Sequence, residues 1–147
     1  MPRQSFTHAA TSAADPESVW QALNLPTTWE AIAGVDRVRE PVVAVDGSLR
    51  GFTFDTIVAG KSYVGTARPR ERVEGRTMSW DIANQEVRGV TRVDLESSGS
   101  GTLITVTVDV ESAGLMSRMF FPVIAATIGK GLPASVEEFA AALERDD

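Results

Sequence analysis

Between Val35 and Ser112 the chain reads with a period of two, and beyond Gly114 with a helical period; that switch limits the possible folds more than any other feature. Six β-rich runs fill the first stretch, over Val35–Val45, Ser48–Ala59, Ser62–Val73, Arg76–Asn84, Glu86–Ser97 and Thr102–Ser112. In the last run Ile104, Val106, Val108 and Val110 alternate with Thr105, Thr107 and Asp109, which leaves one face apolar and the other wet. Asp46-Gly47, Ala59-Gly60-Lys61, Glu74-Gly75, Asn84-Gln85 and Ser97–Gly101 supply turn chemistry between the runs. Such short connections join antiparallel neighbours, because a parallel crossover needs about a dozen residues or more.

Before this stretch, Gln4 to Ser12 alternate as a further strand, with Phe6, His8 and Ala10 on one face. Asp15-Pro16-Glu17 then combines an N-cap, a Pro suited to the first helical position and an early acid, which predicts a short helix bearing Val19, Trp20 and Leu23. Leu25-Pro26-Thr27-Thr28 opens a second short helix, with Trp29, Ile32 and Ala33 on one side and Gly34 as its stop. After Gly114, Leu115, Met119, Phe120, Val123, Ile124, Thr127 and Ile128 recur at spacings of mostly three and four. Leu132, Val136, Phe139, Ala140 and Leu143 continue the pattern, as in one long amphipathic helix. Pro122 and the stretch from Gly129 to Pro133 predict a kink or a split within it.

The 147 residues, 43% of them hydrophobic, suit one domain with one core over residues 1–147. No cysteine is present, which excludes a disulfide framework, a thiolate zinc site, an iron–sulfur cluster and a Cys nucleophile. A net charge of −6 works against nucleic-acid binding, and the one basic run, Arg68, Arg70, Arg72 and Arg76, is interleaved with Glu71 and Glu74. Met1 to Ala14 lacks the apolar stretch of a signal peptide, and no span of about 20 apolar residues occurs. The expected location is the cytoplasm, with no integral membrane segment.

A strand, two short helices, six antiparallel strands and a long helix make an α+β arrangement in which the last helix must cover the apolar face of a curved seven-stranded sheet. Ala13-Ala14-Asp15-Pro16-Glu17-Ser18-Val19-Trp20, then Trp29 with Ala33-Gly34-Val35, resembles the strand-to-helix entry of the START-like helix-grip superfamily, also called SRPBCC. Gly114-Leu115-Met116, Phe121-Pro122 and Phe139-Ala140-Ala141-Ala142-Leu143 resemble the closing helix of its polyketide cyclase/dehydrase and lipid-transport branch. The likeness covers nearly the whole chain. It implies a helix-grip fold with a cavity between sheet and helix for a small hydrophobic, lipid-like or aromatic, ligand. That superfamily also hosts cyclases and assembly adaptors such as those of carbon monoxide dehydrogenase, so fold speaks less clearly than site about activity.

Strand parity then names candidate ligand contacts from the sheet: Phe6 and His8, Phe52 and Phe54, Tyr63, and Met78 and Trp80 with Ile82; the resemblance implies that Trp29, near a helix end, lies by the opening. Met119, Phe120, Val123 and Ile124 join them from the helix, and any of these side chains also suits a plain core. A ligand oxygen needs a partner, for which His8, Tyr63, Thr91 and Thr127 are available, and Arg50 or Arg88 only if the parity slips. His8 is the only histidine, so it and Tyr63 are the weak candidates for acid–base chemistry. With one His and no Cys no metal site is expected, no cofactor is implied, and Asp55, Asp81 and Asp109 read as outward-facing. An adaptor would instead use Met116, Met119 and Phe121, and a homodimer or protein partner is left open.

Overall fold

The computed structural model describes residues 3–32, 36–58 and 60–145, without the side chains of residues 58, 115–117 and 120. Strand β1 (Arg3–Ser12) leads into helices α1 (Pro16–Leu23) and α2 (Thr28–Ile32). The meander β2 (Arg37–Val43), β3 (Leu49–Val58), β4 (Lys61–Val73), β5 (Thr77–Ala83), β6 (Val87–Ser98) and β7 (Gly101–Ser112) follows, and α3 (Leu115–Arg145) closes it. Ala33 and Gly34, expected at the end of α2, lie outside the described residues. All seven strands form one antiparallel sheet in the order β1-β7-β6-β5-β4-β3-β2. The chain therefore returns to its first strand through its last, which brings α3 back over β1 and β7.

Local chemistry sets the entries. Asp15 stands in extended backbone and its carboxylate accepts the Ser18 N–H at 2.7 Å, the N-cap geometry that satisfies one orphan donor of α1. Asn24 ends the same helix and ties it down: its Oδ1 accepts the Leu49 N–H at 3.1 Å and Arg72 Nη2 at 3.0 Å. In β2 the pairing with β3 shifts register after Arg39 and again at Val42, and Glu40 takes a positive φ of 45°. Pro41 lies in this stretch, and a residue without an N–H belongs on an edge strand, which is where β2 sits.

The expected split in the last helix does not occur; α3 runs unbroken through Pro122 and Pro133. Tertiary burial outweighs the lost backbone bonds, because Leu132 and Val136 on either side of Pro133 are 5% and 0% exposed. Gly129 has a packing reason rather than a terminating one: a Cβ there would fall on the ring of Phe6 in β1.

Inward parity is as the alternation implies, with Phe52, Phe54, Ala67, Met78, Trp80, Val93, Ile104 and Val106 all buried. These meet Trp29 and Ile32 of α2 and Leu132, Val136, Phe139 and Ala140 of α3 in one cluster. Among the described residues, the earlier half of α3 contributes Phe121 and Ala125, which form a small second cluster against Val110. Phe6 and Ile128 touch both clusters, and the space between them is where the sheet and helix part.

Two outcomes follow from this packing. Gly89 pairs with Val110, and a Cβ added to it would fall on the Asp109 carbonyl oxygen, a backbone atom that cannot rotate away. Gly89→Ala is therefore expected to destabilise the protein by about 1–3 kcal/mol in urea unfolding, and an unchanged midpoint would refute the close approach. The Ser18 hydrogen bond holds the Asp15 carboxyl below its usual range, so its contribution is present above the unfolded-state pKa and disappears as pH falls through the lower folded value. Asp15→Asn, which keeps an accepting oxygen without the charge, should lose less stability than the parent as the solution is taken from mildly to strongly acid.

Candidate functional site

On β6 the inward positions shrink toward one end: Leu95 and Val93 are followed by Thr91, Gly89 and Val87. On β4 the inward residue Gly65 has no side chain, and the ring of Phe54 lies over it. Where those side chains are short, α3 is not drawn onto the sheet, and a cavity of about 350 Å³ remains. It lies between β3, β5, β6 and β7 on one side and the first half of α3 on the other. Phe54, Ile82, Val108, Val110, Ile124 and Ile128 supply its apolar wall. Ile57 and Val123, 63% and 65% exposed, stand at its opening.

The turn between β5 and β6 builds one side of that opening. Asn84 Oδ1 accepts the Glu86 and Val87 N–H groups at 2.8 and 2.7 Å, while Nδ2 donates across to Thr56 Oγ1 at 2.8 Å. The Glu86 carbonyl accepts the Ala113 and Gly114 N–H groups at 2.7 and 3.1 Å, and its buried carboxylate occupies the space a Cβ on Gly114 would need. A single turn thus holds β3 and the entry to α3 at a set separation, with a carboxylate near the positive end of the helix.

The polar groups on the wall are few. Thr127 Oγ1 donates to the Val123 carbonyl at 2.9 Å, and Thr56 is engaged by Asn84. Thr91 is 3% exposed, faces the cavity, and has no hydrogen-bond partner for its hydroxyl among the described residues. Asp36 and Asp109 also border the space, Asp109 from a strand position whose side chain belongs to the outer face. Among the described lining residues none is Lys, Arg or His.

The residues proposed from the sequence fall into three places. Phe54, Ile82, Val123 and Ile124 are on the cavity wall, with Thr91 and Thr127. Trp29, Phe52, Met78 and Trp80 lie beyond it in the packed core: Trp80 meets Trp29 edge-on at 5.8 Å and Phe52 at 5.4 Å between centroids. Large side chains fill space and so define the limit of the cavity rather than its wall. Trp29 Nε1 donates to the Leu23 carbonyl at 2.8 Å, whereas Trp80 Nε1 is buried with no partner among the described residues. Tyr63 is buried without bordering the cavity, under Lys61 at 5.4 Å from its ring centroid.

Met119 is 73% exposed, and the side chains of Phe120 and Met116 are outside the described residues. Phe121 is buried against Val110. His8 is on the seam between β1 and α3, with Nε2 3.0 Å from Glu137 Oε1, and does not border the cavity. Arg88 approaches Glu111 at 3.8 Å on the outer face and Arg50 Nε donates to Ser48 Oγ, so neither reaches inward. Reasoning from bulky residues passed over Gly89, Val87, Val108, Val110, Ile128 and Asn84; the signal that marks them is the run of small inward residues on β6.

Trp20 serves a separate structural contact. Its Nε1 donates to Glu74 Oε1 at 2.9 Å and the Arg72 guanidinium lies 5.0 Å above its ring, clasping α1 to the β4–β5 turn. Burial foremost, and then the like charge of Arg50, lowers the Arg72 pKa from its ordinary value. Among the described residues no cluster of three or more His, Asp or Glu is placed to hold a metal ion, and no helix is long and apolar enough to cross a membrane.

Asn84 supplies a direct test of the rim. Asn84→Ala leaves two turn N–H groups without their acceptor and should cost about 1–3 kcal/mol in chemical unfolding. Asn84→Asp keeps both acceptor bonds and loses only the donor to Thr56, so its loss should be smaller; equal losses would refute this division of roles.

Three solved structures share this architecture. The Zhui aromatase/cyclase from Streptomyces sp. R1128 superposes with a TM-score of 0.75 at 15% identity, covering 98% of this chain and 95% of its own. A START superfamily protein from Mycobacterium smegmatis gives 0.68 at 15% identity, over 95% of this chain and 98% of that one. A protein of Thermus thermophilus gives 0.70 at 14% identity, with the same coverage of 95% and 98%. At such identities the likeness is one of fold. No curated protein matches the sequence. The family model for polyketide cyclase/dehydrase and lipid transport matches residues 3–144, nearly the whole of the helix-grip architecture, and this chain belongs to that family.

Proposed function

We propose that this chain, acting as one ligand-enclosing domain, binds and carries a small hydrophobic molecule in the cavity between its sheet and α3, and that it does so in the cytoplasm. The observation that carries the reading is the cavity itself: about 350 Å³ with a mainly aliphatic wall, beside a packed core. Small-molecule sites commonly occupy about 300–1,000 Å³ with an apolar lining and a few polar groups, so the ligand is at the small end of that range. Phe54, Ile82, Val123 and Ile124 are the proposed contacts that the sequence already named, joined by Val108 and Ile128.

A cyclase- or dehydratase-like reaction on the same fold would need a proton-transfer group within reach of the ligand. His8 faces Glu137 away from the cavity and Tyr63 does not border it, so neither of the two groups named for such chemistry reaches the ligand, and the ionisable groups that border the space are Asp36 at the opening and Asp109 from the outer face of β7. An adaptor with a filled interior is disfavoured by the same open volume, and Phe121 is not available at the surface.

The test is displacement of a neutral fluorescent probe, N-phenyl-1-naphthylamine, followed in the parent and in Thr127→Trp. Position 127 is exposed on α3 yet borders the cavity, so a large ring there enters the ligand's space without disturbing the core. Probe affinity should fall by about tenfold or more with the melting temperature little changed. Equal probe binding in parent and variant, or none in the parent, would reject this cavity as the site.

A further inference from the structure

The cavity wall has an unusual balance of polar groups, and it bears on which molecules can enter. Thr56 and Thr127 both have their hydroxyls engaged, by Asn84 and by the Val123 carbonyl. Asn84 has its oxygen committed to two N–H groups of its own turn. Thr91 differs: it is set in the middle of β6, directly across from Trp80 on β5 and Val108 on β7, and its hydroxyl meets no partner among the described residues. It is almost wholly removed from bulk solvent, yet it borders the cavity, so its hydrogen-bonding capacity can be met only by something inside. The hydroxyl is reached from the cavity, where a ligand oxygen can take the place of water as its partner.

The charges on the wall point the other way for anions. No Lys, Arg or His is among the described lining residues, and Asp36, beside the opening, places an acid where an entering anion would pass. Arg88 is turned toward Glu111 and Arg92 pairs with Asp94 at 2.9 Å on the outer face. A carboxylate or phosphate transferred into this space would give up its hydration with no countercharge in return.

Resting on the ligand-binding reading above, we infer that the cavity selects a neutral, largely apolar molecule bearing one hydrogen-bonding oxygen held by Thr91, and rejects an anion of the same shape. The ligand class is thus alcohols, phenols, ketones or similar uncharged compounds of about two fused rings in size, rather than free fatty acids or phosphorylated lipids.

Three matched probes separate the possibilities: naphthalene, 2-naphthol and 2-naphthoate, each measured by displacement of N-phenyl-1-naphthylamine at neutral pH. In the parent, 2-naphthol should bind about tenfold tighter than naphthalene, and 2-naphthoate at least tenfold weaker than 2-naphthol. Thr91→Val removes the hydroxyl while keeping the branched shape; it should abolish the preference for 2-naphthol and leave naphthalene affinity unchanged. Thr91→Ser, which keeps the hydroxyl, should restore the preference and guards against a folding artefact. Equal binding of 2-naphthoate and 2-naphthol, or a preference for 2-naphthol that survives Thr91→Val, would overturn this inference while leaving the ligand-binding reading intact. Failure of the probe and all three compounds to bind the parent would overturn both.

Discussion

Everything distinctive about this molecule depends on α3 being held against only part of the sheet it covers. Its second half is drawn in by Leu132, Val136, Phe139 and Ala140, which share one apolar cluster with α2 and the inward faces of the strands. Among the described residues its first half has Phe121 and Ala125 against Val110, with Ile128 beside them. A helix buried along its whole length would have given a solid core; a helix held at one end and propped at the other encloses space.

What keeps that space from collapsing is the pairing of large and absent side chains. The edge-on contacts of Trp80 with Trp29 and Phe52 fill the region below the cavity with buried rings. Gly65 lets the Phe54 ring lie flat along the wall, and Gly89 lets β6 and β7 approach closely enough to leave that part of the floor bare. At the other end the turn holds β3 by the side-chain hydrogen bond of Asn84 to Thr56 and the entry to α3 by the Ala113 and Gly114 N–H groups on the Glu86 carbonyl, directional bonds that a further apolar contact would not supply.

Much of this was readable residue by residue. The alternation of Ile104, Val106, Val108 and Val110 matches the buried face of β7, and the Asp15-Pro16-Glu17 signal matches the capped start of α1. These are local patterns, decided by spacing and backbone chemistry within a few residues. The continuity of α3 was not readable, since Gly129 and Pro133 are weak points in isolation, and only Phe6 from the far end of the chain explains why a glycine is wanted at 129. Nor was the wall of the site. Parity placed Phe54 and Trp80 alike as inward, but the first borders the cavity and the second is sealed beneath it, because depth depends on which strand the helix meets first.

The sequence by itself determined the number and order of the elements and the face that each strand turns inward, which follow from periodicity and capping acting over a few residues along the chain, and its likeness to the family model over residues 3–144 gave the family. Only the tertiary structure decided where empty space remains, that His8 is spent on Glu137 rather than offered to a ligand, and that Thr91 is the wall hydroxyl left without a partner among the described residues. The reason is physical: a cavity is a property of what does not touch, and contacts between residues far apart along the chain are settled by how sheet and helix close together, not by either segment alone.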